Sequence, residues 1–286
     1  MPTASLSIAE LYLAFRQAKA ALFFEKRGVG LSALAEYEQE LPANLKRLQK
    51  KLAGGSWFDK LEVGEVMVVP KRFHHRQDDA DQIIRIGSSR QTQGDRPVDV
   101  QVRVSPHPDF AIAEVLYLRR FGALLESTLS EEVLGYRLDL RDRTIPKHRR
   151  WLFEYWPKRY QQFRSAPLEA ANKILSDGGD ALILSGDLAN FYDTVAPDFL
   201  LRDAFIGELR GLGATASAIR QYKVATSSLL RAHRRFRSIA ASRLSIPVTV
   251  GIPIGAITSR VIANVSLASL DRYVASRQDV TCYRRY

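Results

Sequence analysis

The stretch that decides the fold is residues 181–195, which read ALILSGDLANFYDTV. Its first four residues are apolar and predict a short buried strand over 181–184. This strand would deliver Asp187 in the turn that follows it, with Phe191 and Tyr192 just behind. A carboxylate at the end of a buried strand suits Mg²⁺, which prefers hard oxygen ligands. The alternative is that Asp187 only caps the next helix.

A second informative stretch, residues 251–271, reads GIPIGAITSRVIANVSLASLD. It predicts a tight Gly-Pro-Gly loop that leads into a helix over 256–276. Small side chains at Ser259, Ala263 and Ser266 or Ala268 would let another backbone or a nucleic acid approach this helix closely. A core helix after an ordinary turn is the alternative.

The composition is that of a globular protein. The 286 residues are 46% apolar, and 42 Lys and Arg stand against 31 Asp and Glu, a formal net charge of +11. The single cysteine, Cys282, excludes a disulfide within the chain and a cysteine-based zinc cluster. No apolar run approaches the length that crosses a bilayer. We therefore expect a basic, cytoplasmic protein that has no contact with a membrane.

The positive charge is concentrated in two regions. Residues 209–270 contain nine Lys and Arg and no Asp or Glu, which predicts contact with nucleic-acid phosphates. Arg231, Arg234 and Arg235 are predicted to share one helical face there. The second region, 141–164, interleaves basic and aromatic residues. It fits either a stacking surface for nucleic acid or a solvated face with core aromatics, and both interpretations stay open.

Helices and short strands mix along the chain, as in the α+β class. The pair Ser7 and Glu10 has the spacing of a capping box that opens a helix through about Phe24. A helix over 157–175 is expected in two pieces because of Pro167. The other predicted helices are 41–52, 110–129, 198–209 and 214–235; the other predicted strands are 63–70, 98–104, 246–250 and one starting at 280, with a long loop over 71–97.

In this order, the two informative stretches resemble the palm of reverse transcriptases. That family has an Asp with aromatic residues four and five positions on, then a Gly-x-Pro-x-Gly loop and a helix with Ser and Ala-Asn, then Tyr-x-Asp-Asp. Upstream, 102–106, 135–137 and 69–71 resemble the fingers motifs of the family. The motifs look most like those of bacterial reverse transcriptases of the unknown-group, defence-associated kind. The chain stops at Tyr286, where the Tyr-x-Asp-Asp motif would begin.

The resemblance implies a right-hand polymerase fold that is helix-rich and truncated before the catalytic hairpin and thumb. It implies a helical N-terminal extension over 1–60, fingers over 61–178, and an incomplete palm over 179–286 with a basic, finger-like excursion at about 200–250. The implied activity is RNA-templated DNA synthesis in anti-phage defence, with the 286-residue fragment itself inactive. The alternatives are a non-catalytic nucleic-acid-binding protein derived from a polymerase and a group II intron maturase.

The resemblance also implies roles for individual residues. Asp187 and the backbone carbonyl of Leu188 would hold two Mg²⁺ ions, and Tyr192 would exclude a ribose 2′-hydroxyl. The implied partners are an RNA template, a DNA primer or product, and deoxynucleotides. The other residues expected to bind the nucleotide are Arg103, Lys71, Pro253 and Gly255, and those expected to bind nucleic acid are Arg231, Arg234, Arg235, Arg260 and Asn264.

Two departures from the family pattern bear on this reading. Ile254 stands where many members have a Gln that touches nucleotide and template, so the sensing of base-pair geometry is in doubt. Residues 72–97 interrupt the fingers between the basic motifs, which makes Lys71 the least secure assignment.

Overall fold

A computed structural model of the chain describes residues 6–24, 31–53, 57–73, 98–147, 149–244 and 250–286. These residues are mostly helical and include one two-stranded antiparallel sheet, compatible with the α+β class. The helices are α1 (Ile8–Phe24), α2 (Leu31–Gln39), α3 (Leu41–Leu52), α4 (Pro108–Glu126), α5 (Trp156–Ser176), α6 (Phe191–Thr194), α7 (Asp203–Gly211), α8 (Ala216–Leu244), α9 (Ile257–Ser266) and α10 (Ala268–Ala275); the strands are β1 (Gly64–Phe73) and β2 (Val98–Pro106).

The capping box at the start of α1 is confirmed. The Ser7 backbone N–H donates to Glu10 Oε2 at 2.8 Å, and the Glu10 N–H donates to Ser7 Oγ at 3.2 Å. Each side chain satisfies a backbone group that the first helical turn leaves without a partner. The helix then packs its buried Leu11, Phe15 and Ala18 into the same core as α4.

The sheet confirms the two strands predicted on either side of the long loop. Met67 lies opposite Arg103, and a bulge interrupts the pairing between Pro70 and Arg72. At the start of β1, Gly64 has a φ of 115°, and a Cβ there would lie 2.2 Å from the Ser105 carbonyl oxygen. Only glycine fits that position. The predicted loop over 71–97 is strand as far as 73, and the rest of it lies outside the described residues.

The predicted strand over 181–184 is wrong. These residues belong to no helix or strand and pair with no strand in the described chain, and Leu182 and Leu184 are 85% and 86% exposed. An apolar run forms a buried strand only when a neighbouring strand satisfies its backbone. The strand predicted from 280 is reduced to a single bridge between Val133 and Arg285, and the one over 246–250 lies almost wholly outside the described residues.

Four helix predictions need correction. The helix predicted over 214–235 is α8, which continues to Leu244. Helix α5 runs without a break, and Pro167 lies inside it. The segment 198–209 divides into a 3-10 helix (Pro197–Leu201) and α7, because Arg202 has an extended backbone with ψ of 147°. The segment 256–276 divides into α9 and α10 at Leu267, where ψ is 0°. Local periodicity does not show these interruptions because both halves of each segment keep an apolar face.

One hydrophobic core contains buried residues of the α-helices α1, α2, α3, α4, α7, α8 and α9. Helix α4 lies at its centre, and its Phe110 contacts the rings of Phe58 and Phe236 at centroid distances of 5.2 and 5.3 Å. None of the residues of α5 is buried, and the same is true of the four-residue helix α6. None of the described helices combines the length and the apolar character needed to cross a membrane.

Candidate functional site

Three segments that are far apart in sequence meet through their backbones. The Val104 N–H on β2 donates to the Ile254 carbonyl oxygen at 2.7 Å. Two residues earlier in the same loop, the Ile252 N–H donates to the Tyr192 carbonyl oxygen, also at 2.7 Å. We call these two bonds the backbone seam. The seam joins strand β2, the Gly-Pro-Gly loop and the segment that follows Asp187.

Two glycines make the seam possible. A Cβ on Gly251 would lie 2.0 Å from the Tyr192 carbonyl oxygen and 2.5 Å from the Asp193 backbone, which is closer than any side chain tolerates. Gly255, at the other end of the loop, has a φ of 115°. That conformation favours glycine, since an L side chain would clash with its own backbone. Pro253 lies between these glycines and is buried.

The predicted nucleotide-binding residues divide between this seam and the strands. Arg103 precedes Val104 on β2 and is half-buried, and its Nε donates to Gln101 Oε1 at 2.6 Å. Tyr192 is half-buried, packs against the core, and meets the Phe191 ring at 6.0 Å. Lys71 lies at the bulge of β1, and its side chain is outside the described residues.

Asp187 and Leu188 lie in the exposed segment that leads into α6. In the part of the chain that the structure describes, no three His, Cys, Asp or Glu side chains come together as a metal site. The pair does offer a carboxylate and a carbonyl oxygen. Mg²⁺ takes one or two carboxylates and keeps water or phosphate as its other ligands. These two donors are therefore of the right kind for Mg²⁺ and form only part of a ligand set.

A buried carboxylate that sequence reasoning missed anchors helix α9. Glu114 on α4 is fully buried and accepts the Ile257 N–H at 3.1 Å, the Thr258 N–H at 2.9 Å and the Thr258 hydroxyl at 2.5 Å. Burial raises the pKa of Glu114 to about 7, although these hydrogen bonds act to lower it. The signal in the sequence was a single acid within the apolar run of α4.

His233 on α8 completes this buried network. Its Nε2 lies 3.3 Å from the Thr258 hydroxyl, and its Nδ1 has no hydrogen-bond partner among the described residues. Burial lowers the pKa of His233 to about 3, and the nearby Arg237 charge acts in the same direction. The imidazole is therefore neutral at physiological pH, and it belongs to no cluster of three potential metal ligands among the described residues.

Two residues expected to contact nucleic acid lie in the interior instead. The Arg260 guanidinium lies over the rings of Tyr136 and Phe153, at 5.5 and 5.3 Å, and burial lowers its pKa to about 9. Asn264 donates to the Gly135 carbonyl oxygen at 2.7 Å and accepts from Arg285 at 2.9 Å. Both side chains fix α9 against neighbouring segments, so in this conformation neither can reach a phosphate in solvent.

The arginines of α8 do not form the single basic face that their spacing predicted. Arg231 binds both carboxylate oxygens of Asp59, at 3.0 and 2.7 Å. Arg235 donates to three backbone carbonyls of the same segment, those of Phe58, Asp59 and Leu61. Arg234 lies on another face, 3.9 Å from Asp198. The stretch without acids is thus partly neutralised by acids from elsewhere in the chain.

We call the three hydrogen bonds that Arg235 donates to the carbonyls of Phe58, Asp59 and Leu61 the clamp, and it leads to a prediction about stability. We expect Arg235→Ala to lower the free energy of unfolding by about 1–3 kcal/mol, because three carbonyls lose a charged donor. Arg234→Ala is the matched control and should change stability by less than about 0.5 kcal/mol, since Arg234 is exposed. Urea denaturation of both variants measures this difference. Equal losses for the two variants would contradict the clamp.

The site as a whole consists of a rigid backbone junction with a guanidinium, a tyrosine and a carboxylate near it in sequence. The junction is observed directly in the seam bonds, whereas no described contact joins Asp187 to Arg103. Such an arrangement can hold an anionic substrate at Arg103 and present Asp187 to a cation.

In comparisons with known proteins, no family model, no curated protein and no solved structure matches the chain.

Proposed function

We propose that this chain is the core of a nucleic-acid polymerase of the reverse-transcriptase type, which extends a DNA primer along an RNA template. The observation that carries the proposal is the backbone seam. It brings together the three stretches that the resemblance assigns to nucleotide binding, although the bonded residues lie 60 and 150 positions apart along the chain. The motifs themselves do not require these stretches to meet in space, so their meeting supports the proposal independently.

In the proposed reaction a primer 3′-hydroxyl attacks the α-phosphate of a deoxynucleotide, and pyrophosphate leaves. Arg103 neutralises charge on the triphosphate, as basic side chains do in phosphoryl transfer. Asp187 and the Leu188 carbonyl are the residues that would hold Mg²⁺, which supplies charge stabilisation at the reacting phosphate. The seam holds the backbone of Tyr192, whose ring would lie beside the sugar.

The direct test is primer extension on an RNA template by the protein expressed from its whole gene. We expect Mg²⁺-dependent incorporation of deoxynucleotides that follows the template sequence. A DNA template and a template-free reaction are the controls that define the template requirement. If the protein incorporates no nucleotide on any template, the proposal is wrong.

Sugar selection provides a sharper prediction. Tyr192→Ala should reduce the preference for deoxynucleotides over ribonucleotides by about 10- to 100-fold, because the ring no longer occupies the space of a 2′-hydroxyl. Phe191→Ala is the matched control: Phe191 packs against the same core as Tyr192, so this variant loses similar packing, and its preference should stay at the wild-type value. The measurement is the ratio of kcat/KM for the two nucleotide types. An unchanged ratio in Tyr192→Ala would show that Tyr192 only packs.

A further inference from the structure

An open groove of about 670 Å³ lies where the segment 139–155 meets the first half of α5. Its lining is polar and contains four basic side chains, two acids, one aromatic ring and three small polar groups. The lining residues are Asp139, Arg141, Arg149, Glu154, Tyr155, Lys158, Arg159, Gln161, Gln162 and Ser165.

The acids of this groove are already engaged. Asp139 is bound by Arg149, and Glu154 is bound by Arg159. Arg141 lies 4.0 Å from Asp139 and is 66% exposed at its side chain. Lys158 is exposed and forms no ion pair within the described residues. The groove therefore presents the positive charge of Arg141 and Lys158 to solvent.

The groove also presents an aromatic surface. Tyr155 is 71% exposed although it immediately precedes α5, and Trp156 beside it is 53% exposed. Exposed aromatic rings next to solvent-exposed basic side chains are the combination that binds unpaired bases and their phosphates. A duplex would not use it in the same way, because its bases are already stacked on one another.

The area around the groove continues the same character. Arg143, Lys147, Arg150 and Arg164 are exposed, and Arg150 lies 5.1 Å over the Trp151 ring. Over 139–165 there are eight Lys and Arg against three Asp and Glu. The field at this surface is positive, which attracts a polyanion and speeds its encounter with the groove.

We infer that this groove binds single-stranded nucleic acid, with a base stacked on Tyr155 and phosphates beside Arg141 and Lys158. The inference rests on the proposed function for the kind of partner, and it assigns that partner a surface distinct from the backbone seam. It also resolves the two interpretations of the 141–164 region in favour of a binding surface, since most of its aromatic residues are exposed or half-buried.

The test is fluorescence anisotropy of a labelled single-stranded RNA or DNA, without Mg²⁺ or nucleotide. Arg141→Gln with Lys158→Gln should weaken binding about tenfold and reduce the slope of log affinity against log salt by about 1.4. Arg47→Gln with Lys50→Gln removes the same charge from the exposed face of α3 and is the matched control. Equal losses in both double variants would overturn the inference, because only net charge would then matter.

The stacking contact has its own control. Tyr155→Ala should weaken binding of the single strand about tenfold without changing the salt slope, whereas Tyr273→Ala, 61% exposed on α10, should have no effect. Equal affinity for a duplex of the same sequence, or equal competition by polyglutamate, would overturn the inference. Because binding is measured without synthesis, a protein that binds but does not extend primers would contradict only the proposed function.

Discussion

Asp187→Asn is expected to reduce primer extension by about 100- to 1000-fold in the protein expressed from its whole gene. The substitution keeps the size of the side chain and removes the negative charge that would hold Mg²⁺ beside the reacting phosphate. The fold should not change, because Asp187 is exposed and lies outside the helices and strands. Affinity for nucleic acid should also stay near the wild-type value, since that affinity depends mostly on phosphate contacts.

The matched control is Asp180→Asn, another exposed Asp in the same segment. It changes the same net charge seven residues away and should leave extension unchanged. Extension rates and oligonucleotide affinities are measured in parallel for both variants. Full activity in Asp187→Asn would show that the metal site is misplaced, and equal loss in the two variants would show that only local charge matters.

The second large effect concerns the buried cap on α9. Glu114→Ala should lower the free energy of unfolding by about 3–5 kcal/mol, because it leaves two backbone N–H groups and a hydroxyl without an acceptor and opens a cavity. Urea denaturation at pH 6 measures this loss. A change below about 1 kcal/mol would mean that water or Thr258 itself satisfies the helix terminus.

Glu114→Gln removes the titratable carboxyl group and keeps the size and shape of the side chain. The pKa of Glu114 is raised by folding, from 4.5 to about 7, so the folded state binds the extra proton and wild-type stability falls as the pH rises through this interval. Gln lacks this titration. Relative to wild type, Glu114→Gln should therefore gain up to about 3 kcal/mol between pH 4.5 and 7. Glu36→Gln, on an exposed face of α2, is the control for the loss of one carboxylate.

His233 acts in the opposite direction. Its pKa falls from 6.5 to about 3 on folding, so the unfolded state binds the extra proton and stability is lost as the pH falls from 6.5 towards 3. The contributions of His233 and Glu114 therefore oppose each other between about pH 4.5 and 6.5. In Glu114→Gln the His233 contribution remains alone, so this variant should lose stability on acidification more steeply than wild type. A parallel pH dependence for the two proteins would contradict the assignment of Glu114, and a Glu114→Gln variant that loses no stability on acidification would contradict that of His233.

The elements with strong local signals could be predicted from the sequence. The capping box of α1, the bounds of α3 and the two paired strands each depend on residues close together in the chain. The strand over 181–184 could not be judged this way, because an apolar run becomes a strand only when a partner strand lies beside it. Pro167 predicts a break in α5, but the helix continues through it. A proline inside a long helix removes only one backbone hydrogen bond locally.

The motif residues of the site could be predicted from the sequence, but the side chains that hold its segments in place could not. The seam joins residues that the motifs already singled out, so its members could be named in advance. The sequence predicts Arg235 and Arg260 at the surface, because composition shows charge but not which way a side chain points. Their carbonyl and aromatic partners come from segments that are remote in the sequence. Glu114 gave only the weak signal of one acid among apolar residues, since its role depends on a helix that begins more than 140 residues later.

The backbone seam also has a kinetic consequence. Its two bonds close chain loops of 150 and 60 residues, from Val104 to Ile254 and from Tyr192 to Ile252. Closing loops of this length costs conformational entropy before the contacts add stability, so these contacts form late in folding. During synthesis on the ribosome, Arg103 and Asp187 emerge well before the Gly-Pro-Gly loop that joins their segments. A newly made chain therefore has its α1 and α4 core available for packing long before it has this junction.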